Sequence, residues 1–485
     1  MKDIVLTTIN AKWIHPSLAL RLLKANLGAL EDSCQIIEFA LRQPLAEKLE
    51  PFLSGSPKIL GISVSIWNHT ATIEFLKECS PPKPIIILGG PEVSHLPEDA
   101  EIFKYADYVI RGEGEIAFKS LCEDILAGKQ DNKKFINAQP VELNNIKTAY
   151  HLYTDEDVQK KLIYIESNRG CPFHCDFCLS AVKTVNSVRE FPLEPFLAEM
   201  ETLIKRGVKT FKFLDRSFNI NINRALQIIE FFLEKINQPS SLSSTSASSA
   251  SLHSEGMLRP CVKSSVNPSI VVHFEMVPSL LTVQLNEALL RFPPGSLRLE
   301  IGFQTLNPQI ASLIKLPGNI DLNALKYLRE NSNAIIHADL IAGLPGENLE
   351  SFGKGFDILW SILGGQNAAE QCSIEIQLGI LKQLPGSPIS RHNENYAMSY
   401  NSQPPYEIEE TSVIKYDDML RIKNFARFWE ILVNRGLIKL DNKPVFWKFM
   451  ALSDALFEKF GRNWGIDKEE LKNTVNIIIN NHNLL

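Results

Sequence analysis

Twice along its 485 residues this chain alternates short β-rich runs with amphipathic helical patterns. That repetition restricts the fold more than any other feature. Strands separated by helices pair in parallel, because a parallel pair needs a crossover connection long enough to hold a helix. In the first series, residues 1–127, strands are expected at 3–9, 35–40, 59–66, 84–88 and 107–111, with helices at 17–30, 45–53, 70–79 and 116–127. The expected product is a doubly wound, Rossmann-like α/β domain with helices on both faces of its sheet. Such sheets bind ligands outside the carboxyl ends of their strands.

The unusual residues gather at those ends. The first βα loop spans 7–17; SVSIWN carries Ser63, Trp67 and Asn68; GGPEV carries Gly89, Gly90, Pro91 and Glu92; GEGE carries Gly112, Glu113 and Gly114. Glycine lets a backbone approach a ligand closely, although each of these glycines also suits a tight βα turn.

Residues 128–155 are polar and aperiodic and read as a linker. A second series follows over 156–386, with strands expected at 161–167, 209–215, 270–276, 297–304, 334–342 and 373–378. Helical patterns at 193–206, 223–235, 283–292, 323–331 and 349–363 separate them. Six βα-type units make a partial (β/α)6 barrel with its site at the carboxyl face. The serine-rich tract 239–256 interrupts the series and lacks the apolar groups needed to offset ordering entropy, so a disordered insertion is expected there. Residues 387–485 lose the alternation and read as a mostly helical segment, with helices at 445–460 and 468–480.

Three cysteines, Cys171, Cys175 and Cys178, lie in SNRGCPFHCDFCLS directly after the first strand of the second series. Thiolates are soft ligands that select iron–sulfur clusters, zinc or copper. Three ligands suit a four-iron cluster with one iron left open, whereas a structural zinc site wants four closed ligands. His174 is the one nearby residue that could complete a zinc set, and its place beside Cys175 demands a sharp bend.

This spacing, with Phe177 before the third cysteine, resembles the cluster loop of the radical S-adenosylmethionine (SAM) enzymes. GISVSIWN, ILGGPEVS and DYVIRGEGEIAF resemble the strand ends of the cobalamin-binding domain that precedes the radical SAM domain in many of them. The resemblance implies a 4Fe-4S cluster on Cys171, Cys175 and Cys178, SAM bound at the open iron, and reductive cleavage to a 5'-deoxyadenosyl radical. It further implies cobalamin as a second cofactor, held at the strand ends already named, and possible methylation of an unactivated carbon.

By the same resemblance Asp215 would meet the SAM methionyl amino group, Glu275 and Gln304 the ribose and methionyl parts, and Asp339 and Gly343 the adenosine. The Asp-x-His-x-x-Gly motif that supplies an axial histidine in other cobalamin proteins is absent, leaving His15 and His69 as possible contacts. Lys315 stands where related enzymes often carry a carboxylate-pairing arginine. The C-terminal segment resembles the helical tail of one subgroup, whose role is undefined.

Rival expectations are a cobalamin-independent radical SAM enzyme, including a methylthiotransferase-like one with Cys34, Cys79 and Cys122 on an auxiliary cluster, and a metal-stabilised scaffold without catalysis. A net charge of −6 gives no basic field for nucleic acid. No stretch approaches the ~18 apolar residues of a membrane span. Unpaired cysteine spacings and an N-terminus unlike a signal peptide fit a reducing cytoplasm. The expected partners are a small-molecule substrate and a flavodoxin- or ferredoxin-like electron donor.

Overall fold

A computed structural model describes residues 1–53, 55–79, 84–129, 133–182, 188–238, 270–364, 374–441 and 443–482. The serine-rich tract 239–256, Cys261, Cys372 and the start of the expected strand 373–378 lie outside the described residues. The chain forms two compact units, Met1–Asp215 with Leu381–Glu409, and Arg216–Ile380 with Glu410–Leu485.

The first unit opens with β1 (Ile4–Asn10), α1 (Leu18–Ala25), β2 (Cys34–Ala40), α2 (Leu45–Leu53), β3 (Ile59–Ser63), α3 (His69–Glu78), β4 (Ile85–Gly89), β5 (Tyr108–Arg111) and α4 (Gly114–Leu126). With β6 (Phe135–Asn137) the strands form one parallel sheet in the order β2-β1-β3-β4-β5-β6. Successive residues alternate between two cores, as a sheet covered on both faces requires. Val5, Leu60, Ile62, Ile86 and Leu88 enter one core, while Ile4, Leu6, Ile59, Ile87 and Ile110 enter the other.

The stretch 128–155, expected as an irregular linker, instead contributes β6 and a set of buried anchors. Val141, Leu143 and Ile146 pack with Phe191 in a small core, and Tyr150 and Tyr153 are buried. Short apolar residues at irregular spacing carry no periodic signal, so only their packing partners reveal them.

The chain continues through α5 (Asp155–Lys160), which begins with a Thr154–Asp157 capping box. Next come β7 (Ile163–Ile165), β8 (Asn168–Arg169), β9 (Arg189–Glu190), α6 (Leu193–Lys205) and β10 (Thr210–Phe213). β7 and β10 pair in parallel; β8 and β9 form a short antiparallel ribbon.

The second unit holds α7 (Ile222–Asn237), β11 (Val271–Met276), α8 (Val283–Leu290), β12 (Leu297–Gln304), α9 (Pro308–Leu313), α10 (Leu322–Asn331), β13 (Ile335–Ala342), α11 (Leu349–Leu363) and β14 (Ile374–Ile380). Each of β11 to β13 pairs in parallel with the next, ending at β14. This α/β fold combines a Rossmann-like N-terminal domain, a partial (β/α)6 barrel and a helical C-terminus.

After a hairpin of β15 (Ser399–Tyr400) and β16 (Ile408–Glu410), the chain ends in α12 (Tyr416–Trp429), α13 (Phe446–Phe460) and α14 (Lys468–His482). The helices extend the core of the second unit. Phe356 of α11 stands 4.7 Å from Trp429 in a T-shaped contact, and Phe425 stands 5.0 Å from Phe446. Gly353 leaves room for Phe446, since a Cβ there would stand 2.5 Å from that ring. Asp357 accepts the orphan N–H groups of Val445 and Phe446 at 2.7 and 2.9 Å, capping α13. No helix among the described residues is long and apolar enough to cross a membrane.

Candidate functional site

The cysteine loop leaves the carboxyl end of β7 and returns through β9, so the β8–β9 ribbon closes its base. All three cysteines are half-buried. The Cys178 N–H donates to the Cys175 carbonyl at 3.0 Å, and the Ser180 N–H donates to Cys178 Sγ at 3.4 Å. Burial, together with the nearby Cys178 and Cys171, pushes the Cys175 thiol up to about 12. Among the described residues no three His, Cys, Asp or Glu side chains are grouped to hold a single ion. A four-iron cluster takes its thiolates on different irons, so its ligands need not converge on one point.

Half-buried salt bridges hold the base of this loop. Arg169 donates from Nε to both oxygens of Glu166 at 3.0 Å and lies 2.7 Å from Glu115 and 3.4 Å from Glu113. Arg189 also pairs with Glu113, whose Oε2 accepts the Val141 N–H at 3.0 Å. Burial opposes the charge on Glu113, yet Arg189, Val141 and Arg169 hold it below the usual carboxylate range. Glu113, expected to touch a cofactor, pairs with both arginines at the base of the cysteine loop. Arg169 is half-buried and contacts three carboxylates.

Asn68 is fully buried. Its amide donates to Thr8 Oγ1 and to the carbonyls of Ile9 and Ser63, and its carbonyl accepts the Ser65 N–H. It ties the ends of β1 and β3 together. Glu92, also buried, accepts from His69 Nδ1 at 2.9 Å and from the Tyr406 hydroxyl at 2.6 Å. His15 bonds the Tyr164 hydroxyl at 2.7 Å.

Gly90 has φ +107°, and a Cβ on it would stand 2.5 Å from the Val64 carbonyl oxygen; Gly112 has φ +93°, with the Ala138 carbonyl 2.9 Å from such a Cβ. Both glycines are demanded by adjacent backbone. Gly89 and Gly114 meet only ordinary or side-chain neighbours, Gly114 lying against Leu23 of α1. What this end of the sheet exposes is Trp67 at 52% and Trp13 at 48%, together with Pro91 and Gly112, while Ser63 is half-buried.

At the end of β10, Asp215 is completely buried and accepts both the N–H of Ser167, at 3.0 Å, and its hydroxyl. Burial pushes this carboxyl up to about 7 against those hydrogen bonds. Asp215, expected to meet a ligand ammonium, thus supports the residue that enters the cysteine loop.

In the second unit, strand alternation sends one residue set outward to the helices and leaves the other on a shared face. That face carries Glu275 on β11, Gln304 on β12 and Asp339 on β13, in adjacent strands. Gln304 adopts φ +63° at a register shift between Gly302 and Gln304. A non-glycine residue held in this region marks a position the fold has constrained. Gly343, just past β13, has φ +88°. Lys315 likewise has φ +57°.

Sequence reasoning passed over the polar residues farther along the same face. His273 lies 3.2 Å from Glu300, His337 lies 3.0 Å from Glu375, and the two imidazoles stack at 5.6 Å. The signal was present as alternation in VVHFEM, LRLEIGFQ and IIHADLIA, where every second residue includes polar groups in otherwise apolar strands.

A family model described as the B12 binding domain matches residues 4–122, and one described as the radical SAM superfamily matches residues 165–357. This chain belongs to the radical SAM proteins that carry an N-terminal B12-binding domain. A third model, described as a protein of unknown function (DUF4080), matches residues 394–474 of this radical SAM protein.

The uncharacterized methyltransferase PH0819 of Pyrococcus horikoshii is 28% identical over 194 residues, 36% of this chain and 42% of that protein. The cobalamin-dependent radical SAM methyltransferase TokK of Streptomyces tokunonensis is 24% identical over 205 residues, 37% of this chain and 30% of that protein. The chain thus spans less than half the length of either relative. The fold agrees with the structure of the cobalamin-dependent S-adenosylmethionine radical enzyme OxsB, at TM-score 0.63 and 15% identity, over 99% of this chain and 75% of that one.

The residues present fit these groups. Three half-buried thiols on one closed loop are the donor set of a cluster with an open iron. Exposed indoles beside exposed glycine backbone at the sheet's carboxyl end suit a large ring with an amide-bearing rim.

Proposed function

We propose that this B12-binding radical SAM protein is an enzyme that cleaves S-adenosylmethionine reductively to a 5'-deoxyadenosyl radical and methylates an unactivated carbon of a small-molecule substrate. The observation that carries the proposal is the Cys171, Cys175 and Cys178 loop at the end of β7, joined by Arg169 and Arg189 to Glu113 at the end of β5. A thiolate loop and a B12-type strand end meet there through half-buried ion pairs. When bound, the 4Fe-4S cluster supplies the electron for sulfonium cleavage, and cobalamin supplies a carrier for the methyl group.

The protein's own residues bind and orient. Cys171, Cys175 and Cys178 hold the cluster; Glu166, Glu113 and Arg169 fix the loop's exit from β7; Ser167, held by Asp215, sets its first turn. In the second unit Glu275 and Gln304 offer acceptors and amide groups to the ribose and methionyl parts of SAM, and Asp339 with Gly343 faces the adenosine. Trp67, with the backbone of Gly89, Gly90, Pro91, Gly112 and Gly114 and the Ser63 hydroxyl, provides the cobalamin face; Asn68, Glu92 and Glu113 support it from beneath.

The domains follow as residues 1–127, 156–386 and 387–485, with 128–155 between the first two. A flavodoxin- or ferredoxin-like protein is the electron donor. The methylthiotransferase alternative needs an auxiliary cluster, and the cysteines it would use are packed apart. Cys34 and Cys122 are buried in one core, while Cys79 packs against the other.

Metal analysis of protein purified without oxygen and supplied with hydroxocobalamin tests the proposal. It requires about four irons and one cobalt per chain, and 5'-deoxyadenosine with S-adenosylhomocysteine on reduction with substrate. Iron without cobalt would remove the cobalamin assignment, and zinc in place of iron would overturn both.

A further inference from the structure

The first unit includes a segment far from the rest of it in sequence, Leu381–Glu409. Its residues reach both loops to which cofactors are assigned above. Asp176, between Cys175 and Phe177, is 1% exposed, and its Oδ2 accepts from His392 Nε2 at 2.8 Å and from Arg391. At the other end of the segment, the Tyr406 hydroxyl donates to Glu92 of GGPEV, which also holds His69 at the start of α3. Gly386 adds a close contact to the same loop: a Cβ on it would stand 3.1 Å from His95 Cβ.

The segment is itself braced. Ile408 N–H donates to the Leu381 carbonyl at 2.8 Å, Gln383 N–H to the Tyr406 carbonyl at 3.0 Å, and Asn401 N–H to the Glu407 carbonyl at 2.9 Å. Tyr406 sits at φ +56°, a conformation unfavourable for a bulky residue, and this aims its hydroxyl at a buried carboxylate.

We propose that Leu381–Glu409 is a positioning strap, in which His392 and Arg391 set the cluster loop through Asp176 while Tyr406 sets the cobalamin-side loop through Glu92. The inference rests on the cofactor assignment proposed above. One braced segment thus touches both loops and holds each through its own carboxylate. His392, Arg391 and Tyr406 are positioning residues, because each acts through a carboxylate on the loop it holds. Asp176 adjoins Cys175 in the chain, and hydrogen-bonded groups beside metal ligands change metal affinity by about 10–100-fold.

The test compares His392→Ala, His392→Gln and Tyr406→Phe in the full chain, reconstituted with iron and sulfide and supplied with hydroxocobalamin. The readouts are iron loss to a chelator, the electron paramagnetic resonance spectrum of the reduced cluster, and cobalamin affinity by absorbance. Thermal unfolding of the unloaded protein runs alongside.

Under the proposal, His392→Ala speeds iron loss roughly 10-fold and changes the spectrum, while His392→Gln, which keeps a donor, restores both. Tyr406→Phe weakens cobalamin affinity and leaves iron retention unchanged. The strap role is overturned if neither variant moves these readouts, or if each moves only in step with lost thermal stability. A wild-type protein that takes up no iron would instead sink the cofactor assignment and the strap role with it.

Discussion

Ser167 gives both its backbone N–H and its hydroxyl to one carboxylate, that of Asp215, which is completely buried at the end of β10. Burial raises this carboxyl to about 7, so the folded chain holds a proton there that the unfolded chain releases near the ordinary value of 3.8. Between about pH 4 and pH 7 the folded state therefore binds more protons, and linkage makes this site's contribution to stability fall as pH rises through that window. Denaturant unfolding at pH 5 and pH 7.5 should show the decline. Asp215→Asn, which cannot titrate and offers one acceptor and one donor as the protonated acid does, should flatten it.

Glu347 repeats the situation in the second unit. It is 2% exposed, accepts from Thr305 at 2.6 Å, and is pushed by burial to about 7. Glu347→Gln should remove a second part of the same pH dependence, additively with Asp215→Asn because the sites share no partners. A double variant as steep as the wild type would refute both assignments.

Glu113 distinguishes support from ligand contact. Glu113→Gln removes the carboxylate that Arg189 pairs with and one of the three around Arg169, which should cost about 1–3 kcal/mol for these half-buried groups. The expected outcome is a lowered unfolding midpoint in protein without cofactors. Unchanged stability with weakened cobalamin binding would return Glu113 to a direct role.

Trp67 and Gly90 should separate in the opposite senses. Trp67→Ala removes an exposed ring, so stability should hold while cobalamin affinity drops roughly 10-fold, about 1.4 kcal/mol. Gly90→Ala forces a left-handed backbone against the Val64 carbonyl and should destabilise the apo fold by at least about 2 kcal/mol. Absorbance titration and thermal unfolding of both variants check the pair.

Cys175→Ala should abolish iron binding and 5'-deoxyadenosine formation while leaving cobalamin uptake within about twofold, since the strand ends named for cobalamin do not include the loop's thiols. Loss of cobalamin with the iron would mean that the two sites fold as one.

The architecture was largely legible because it is written in local patterns. The expected strands at 3–9, 35–40, 59–66, 84–88 and 107–111 all have counterparts, β1 to β5, and the helix expected at 45–53 is α2. The helix expected at 17–30 ends at Ala25 and gives way to a 3-10 turn over Gly28–Ser33, where Gly28 has φ +62°. Within the site, Cys171, Cys175 and Cys178 could be found from spacing alone, since one short loop must deliver all three. Asn68, Glu92, Glu113 and Asp215 stood out for their positions at strand ends, yet that position says nothing of what each side chain meets.

The sequence by itself determined the alternation of strands and helices, the two cores and the thiolate loop, because each depends on residues near one another in the chain or on a fixed period. Tertiary structure alone decided that Glu113 serves the arginines of the cysteine loop, that Asp215 serves Ser167, and that Tyr406 and His392 return to Glu92 and Asp176. A buried charge must take its partner from whatever the fold brings within about 3 Å, and that proximity has no period and no local sequence signal.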